Sequence, residues 1–167
     1  MFKDLYGIAR WGDGLVDVLP NGNVGLQDPL NADAQPVDLA EIIQSLEKRG
    51  IQTPVLLRVS NFLEHRIKAI NEGFRFAIEQ VGYGGEYRGV FPIKVNQQAH
   101  VVERISRYGE IFDFGLEVGS KAELLIALSQ CDNPQSLIIC NGFKDTEFIR
   151  LALLSKKLAM NTVIVLE

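Results

Sequence analysis

Residues 87–96, YRGVFPIKVN, hold one lysine among bulky and β-branched neighbours. Tyr87, Val90, Phe91, Ile93 and Val95 suit a pleated, packed backbone, and polar residues follow soon after Lys94. An ammonium group in such a run must reach water, find an anion, or do chemistry that uses its neutral amine. A desolvated lysine aimed from the mouth of a strand is suited to forming a Schiff base with an aldehyde cofactor. A strand-end lysine pointing into water fits the same residues, and both readings stand at this point.

Three other apolar segments also end in polar residues: 58–61 (RVSN), 117–120 (EVGS) and 141–144 (NGFK). If these segments are parallel strands with a common polar end, they define a shared site with Lys94. Surface loops are polar in any case, so the pattern alone does not decide the matter.

The elements that would position these ends follow from periodicity. From Pro54 onward the chain alternates strand and helix patterns. Expected strands are residues 55–59, 87–93, 111–116, 136–140 and 162–166. A long helix opens at Ser60 or Asn61, with Ile67, Ile70, Phe74, Ile78 and Val81 as its buried stripe, and the glycines at 82, 84 and 85 close it. Further helices are expected through Val101, Val102, Ile105 and Tyr108, over 120–130, and over 145–160. Alternating units with apolar strands imply a parallel sheet covered by helices. A doubly wound dinucleotide fold would show a G-x-G-x-x-G turn after its first strand, and Val59 is followed by Ser-Asn-Phe-Leu-Glu instead. A (β/α)8 barrel of the TIM type is therefore expected. Such a barrel takes about 250 residues, so five strands make the chain the front part of a longer protein.

Ahead of this pattern lies a region rich in Gly, Asn, Asp and Pro. Residues 15–19 and 23–26 flank Pro20-Asn21-Gly22, a strong hairpin signal. The division expected is an N-terminal β element over 1–36 and the first part of the barrel over 37–167. A helix over 37–49 opens the second part, with Asp38 as N-cap, Glu41 three residues on, and Gly50 as terminator. Trp11 and Tyr6 are expected to pack the hairpin.

Composition excludes several classes. The formal net charge of −4 leaves no footprint for nucleic acid or an anionic membrane. Cys131 and Cys140 are too far apart for a C-x-x-C pair, and with only His65 and His100 a His/Cys zinc site is not expected. His65 is expected on a solvated helix face. No apolar stretch approaches the roughly 18 residues of a membrane span, and the chain reads as cytoplasmic.

FPIKVNQQ, DFGLEVGSKAEL and IICNGFKDTEFIRLAL, in that order and spacing, resemble the biosynthetic, pyridoxal-phosphate-dependent arginine decarboxylases. The opening YGIARWGDGLVDV is similar to that family's N-terminal signature, so the resemblance covers essentially the whole chain. Pro92 stands where the related ornithine decarboxylases usually carry Ala, which favours the arginine branch. The resemblance implies conversion of L-arginine to agmatine and CO2 on the way to putrescine and spermidine, with pyridoxal 5′-phosphate held by Lys94 as a Schiff base. It implies cofactor-side roles for Glu117, Glu123 and Asn141, a homo-oligomer, and Mg2+ as a secondary expectation with no metal ligand assigned. A decarboxylase of another basic amino acid, or a non-catalytic pyridoxal-phosphate-binding barrel, are the alternatives. A truncated but independently folded structural module is a third.

Each implied residue also has a plain reading. Ser120-Lys121-Ala122-Glu123 forms a capping box, so Glu123 can simply bond backbone at the helix start. Glu117 can be a solvated strand-end acid, and Asn141-Gly142 a turn. Lys121 and Lys144 read as surface or capping residues, and His100 has no cofactor role. The cofactor-stacking His, the acid facing the pyridine nitrogen and the glycine-rich phosphate loop of the family fall outside these residues. The isolated chain is accordingly expected to be inactive and poorly soluble.

Overall fold

The structure, a computed structural model, describes residues 2–166. The chain divides into two compact units, one running up to His65 and the other from Arg66 onward.

In the first unit, two short helices, α1 (Phe2–Leu5) and α2 (Ile8–Trp11), precede β1 (Val16–Val18) and β2 (Val24–Leu26). The two strands pair antiparallel, and Gly22 takes a left-handed φ of 88° between them, as the Asn-Gly signal requires. A third strand, β3 (Val37–Asp38), pairs antiparallel with β2, so the hairpin is part of a three-stranded sheet that extends past residue 36. Asp38 then starts α3 (Leu39–Lys48), its carboxylate accepting from Ala40 N and Glu41 N. The same carboxylate accepts from Asn23 Nδ2 at 2.8 Å and Asn21 Nδ2 at 2.9 Å. These side-chain amides, more than the helix backbone, hold the Asp38 carboxyl below its ordinary range. One buried acid thus ties the turn to the helix. Trp11 and Tyr6 do not pack the hairpin: both are exposed, and the indole N–H donates to Tyr6 O at 3.0 Å.

Four strands in the second unit, β4 (Val90–Pro92), β5 (Gly115–Val118), β6 (Leu137–Cys140) and β7 (Asn161–Ile164), form a parallel sheet in chain order. Helix α4 (Ser60–Val81), whose first turns belong to the first unit, precedes β4, and α5 (Ala99–Gly109), α6 (Lys121–Gln130) and α7 (Thr146–Lys157) lie between successive strands. Ile93, Val102, Leu116, Val118, Leu124, Ala127, Ile138, Cys140, Phe148 and Ala152 make the core. Ser120 and Asp145 cap α6 and α7 through bonds from Glu123 N and Phe148 N. Gly115 lies so close to the Leu137 backbone that any side chain there would collide with it.

Several elements differ from the expectation. Residues 55–59 form no strand, and Leu56 is 75% exposed: an apolar run becomes a strand only when it finds a partner edge, and this one has none. The parallel sheet thus has four strands where five were expected. Of the α4 stripe, Ile67 is buried, Ile78 is half-buried, and Ile70, Phe74 and Val81 are exposed. Periodicity marks a face without saying what covers it. Tyr87 lies outside β4 and stacks on Phe74 with ring centroids 3.9 Å apart. Residues 110–112 are a 3₁₀ turn, which delays β5 to Gly115. His65 is half-buried rather than solvated, with Nδ1 buried and unbonded.

α7 is tied to β7 by a buried pair of hydroxyls. Ser155 Oγ lies 2.6 Å from Thr162 Oγ1 and also donates to Ala152 O at 2.7 Å. With the Ser155 proton on Ala152 O, Thr162 must donate to Ser155. Ser155→Ala therefore leaves a buried hydroxyl unpaired and is expected to lower stability by about 1–3 kcal/mol in urea unfolding. Adding Thr162→Val should recover part of that loss, since removing both partners is far less costly than removing one.

Candidate active site at the strand ends

The register of the parallel sheet decides which side chains meet. Pro92 is opposite Glu117, and Val118 is opposite Cys140. Lys94, Glu117 and Asn141 therefore sit at the same, C-terminal end of three neighbouring strands, where parallel α/β folds carry their chemistry.

Lys94 departs from the expectation in two ways. It belongs to a 3₁₀ turn, Ile93–Val95, that follows β4 directly, and its side chain is 62% exposed rather than desolvated. The turn explains the exposure. Ile93 takes the last core position, fully buried, so the tighter winding that follows carries Lys94 and Val95 out of the sheet.

Glu117 is not a solvated strand-end acid. Its side chain is 9% exposed and lies on a strand buried throughout. Lys94 Nζ approaches Glu117 Oε1 at 3.6 Å, close enough for an ion pair and too long for a hydrogen bond. Both carboxylate oxygens are otherwise buried without a hydrogen-bond partner. Asn141 adds a third such atom: its backbone N–H donates to Val118 O at 2.8 Å, while its buried Oδ1 is unbonded. Buried acceptors without donors are rare in proteins, and these lie at adjacent strand ends.

Glu123 is engaged differently. Glu123 N donates to Ser120 Oγ at 3.2 Å, the N-cap half of a capping box, while Oε2 reaches one residue past the N-cap and accepts from Gly119 N at 2.8 Å. Lys121 is likewise committed: Nζ reaches Asp145 Oδ2 at 2.9 Å and Glu147 Oε2 at 2.7 Å, clipping the start of α6 to that of α7. Sequence reasoning missed this clip, because its partners stand 24 and 26 residues further along the chain. Lys144 is half-buried and His100 exposed. Burial pushes the Cys140 thiol up to about 11, only partly offset by Lys144, so this neighbour of Asn141 is an inert core residue at neutral pH.

The clip has a pH signature. The Phe148 N–H, then Lys121, hold the Asp145 carboxyl below its ordinary 3.8, so its contribution is present above that pH and is lost as pH falls through the lower folded value. Glu147, then Asp145, raise Lys121 above 10.5, so its contribution is present below that pH and is lost as pH rises through the higher folded value. The stability difference between the native protein and Lys121→Met should therefore be constant from about pH 5 to 9 and shrink outside that window. Chemical unfolding across pH measures it.

A primary amine beside a carboxylate that lacks donors, with a further unpaired amide oxygen at the next strand end, fits an aldehyde-bearing group. The amine is exposed enough to reach a carbonyl, and the orphaned oxygens would accept hydrogen bonds from a group held there. Among the described residues no group of three or more His, Cys, Asp or Glu side chains is placed to hold a metal ion, and no helix is long and apolar enough to cross a membrane.

Residues 67–165 match the family model described as pyridoxal-dependent decarboxylase, pyridoxal binding domain. The chain is 47% identical over 163 residues to the biosynthetic arginine decarboxylase of Synechococcus sp. strain RCC307, covering 98% of this chain and 25% of that protein. It is 45% identical over 165 residues to the namesake from Thermosynechococcus vestitus, covering 99% of this chain and 26% of that one. Among solved structures it resembles the biosynthetic arginine decarboxylase SpeA of Campylobacter jejuni, with TM-score 0.89 and 31% identity, over 97% of this chain and 27% of that one. The chain thus spans about a quarter of the length of these relatives.

Proposed function

The chain belongs to the pyridoxal-dependent decarboxylases, and from that premise we propose that it is part of an enzyme converting L-arginine to agmatine and CO2, a step toward putrescine and spermidine. The proposal extends to the whole protein: residues 1–36 belong to an N-terminal β element, and residues 37–167 supply the first part of a (β/α)8 barrel, whose four parallel strands are β4 to β7. A cytoplasmic homo-oligomer follows from the same relationship.

The observation that carries the chemistry is the contact between Lys94 Nζ and the otherwise unpartnered Glu117 carboxylate. Pyridoxal 5′-phosphate, when bound, supplies an aldehyde that condenses with amines and a ring that draws electrons from the substrate's Cα. Lys94 offers the amine that would hold it. Glu117 Oε1 attracts the ammonium and fixes where Nζ points. At 3.6 Å Oε1 holds Nζ beside the strand end, where its lone pair, once its proton has passed to solvent, would attack a carbonyl. Asn141 Oδ1, unbonded on the β6 side, would accept a hydrogen bond from what lies between the strand ends and so orient it.

The direct test is release of CO2 from carboxyl-labelled amino acids by the full-length protein. L-Arginine is expected to be the preferred substrate, with agmatine as co-product. Turnover of ornithine or lysine in preference to arginine would overturn the substrate assignment, and cofactor binding without any CO2 release would overturn the enzymatic one.

A further inference from the structure

Glycine is required at 142 for two reasons that act together. Gly142 has a φ of 78°, and a Cβ there would fall 3.0 Å from Gly119 C and Cα and closer still to Gly119 O. The loop after β6 is therefore seated directly on the backbone of the loop after β5. Gly119 is in turn held from its other side, its N–H donating to Glu123 Oε2 at 2.8 Å. Between the seat and the sheet lies Asn141, whose N–H bonds Val118 O at 2.8 Å.

We propose that Glu123 is a positioning residue rather than a cofactor contact: it fixes Gly119, against which Gly142 seats the loop that carries Asn141. Both ends of this latch are local to the two strand ends that present Glu117 and Asn141. The carboxylate of Glu123 uses its charge only to accept a backbone hydrogen bond, a task that a neutral amide oxygen also performs. A contact with the lysine or the cofactor would instead need the negative charge. Only the activity readout below rests on the decarboxylase reading.

The experiment compares Glu123→Gln, Glu123→Ala and Gly142→Ala in the full-length protein, with residue-resolved amide hydrogen exchange on the cofactor-free form. In Glu123→Ala the Gly119 amide is expected to exchange about ten- to hundredfold faster, the scale of a lost hydrogen bond to a charged group. Glu123→Gln should exchange at a rate between those of the native protein and Glu123→Ala, because its amide oxygen accepts the same bond more weakly, and should stay within about threefold of native in kcat for arginine. Gly142→Ala should speed exchange at the Asn141 amide while leaving Gly119 bonded to Glu123. An unchanged Gly119 amide in Glu123→Ala would overturn the latch. So would a Glu123→Gln variant as impaired in kcat as Glu123→Ala, which would show that the charge itself is used. If even the native protein fails to bind pyridoxal phosphate, the decarboxylase reading fails, and the exchange data still decide the latch.

Discussion

Lys94→Ala in the full-length protein is expected to reduce arginine decarboxylation by about 10³-fold or more, the scale on which removal of a covalent nucleophile acts. Stability should fall as well, though modestly for a side chain that is 62% exposed, because the buried Glu117 carboxylate loses its counter-charge at 3.6 Å. The two readouts together separate a chemical role from a structural one. Lys94→Arg makes the case sharper. It keeps the positive charge near Glu117 but cannot release a free amine, since guanidinium is not deprotonated in proteins. It should therefore be as inactive as alanine. A variant at this position with activity within tenfold of native would remove Lys94 from the chemistry.

Glu117→Leu is expected to move stability and activity in opposite directions. The carboxylate is buried on a strand whose four residues are all buried, and neither oxygen has a hydrogen-bond donor. An ion in that position costs desolvation that a half-exposed lysine at 3.6 Å only partly offsets. Replacing such a group by a hydrophobic residue of similar volume is commonly neutral or stabilising by about 1–4 kcal/mol. Activity should nevertheless fall by about 10²-fold or more, because Nζ loses the group that places it. Nothing in the fold explains a buried, unsatisfied acid unless function retains it, which is the trade-off seen where a site is kept at the expense of stability. Urea unfolding of Glu117→Leu beside its turnover number tests this. A destabilised variant would mean that Glu117 supports the sheet instead.

What was legible in the sequence was local. Asp38 and Ser120 cap helices where their types and spacings said they would, since a cap needs only residues two or three positions away. The Asn21-Gly22 turn is local for the same reason. Lys94 stood out because one charge among β-formers is a local contradiction. The rest depended on partners distant in sequence. Residues 55–59 have the composition of a strand and pair with none, and composition does not say which edge would take them. Phe74 and Val81 are spaced as a buried stripe and remain exposed, since periodicity cannot supply a covering surface. The burial of Glu117 and its pairing with Lys94 follow from the register Pro92 opposite Glu117, which no window of either segment contains. Glu123 was ambiguous between cap and cofactor contact: its N–H takes the Ser120 cap as the spacing said, while its carboxylate bonds Gly119 N, one residue before the N-cap, which no capping pattern indicates.

The central claim is that Lys94 is the amine that holds the cofactor. The most direct measurement incubates the full-length protein with one equivalent of pyridoxal 5′-phosphate, reduces it with borohydride, and maps the modified peptide by mass spectrometry. Reduction should fix a single cofactor to the peptide that contains Lys94, and Lys94→Ala should remain unlabelled under the same conditions. A stoichiometric label on Lys121, Lys144 or any other lysine, with Lys94 left free, would contradict the account.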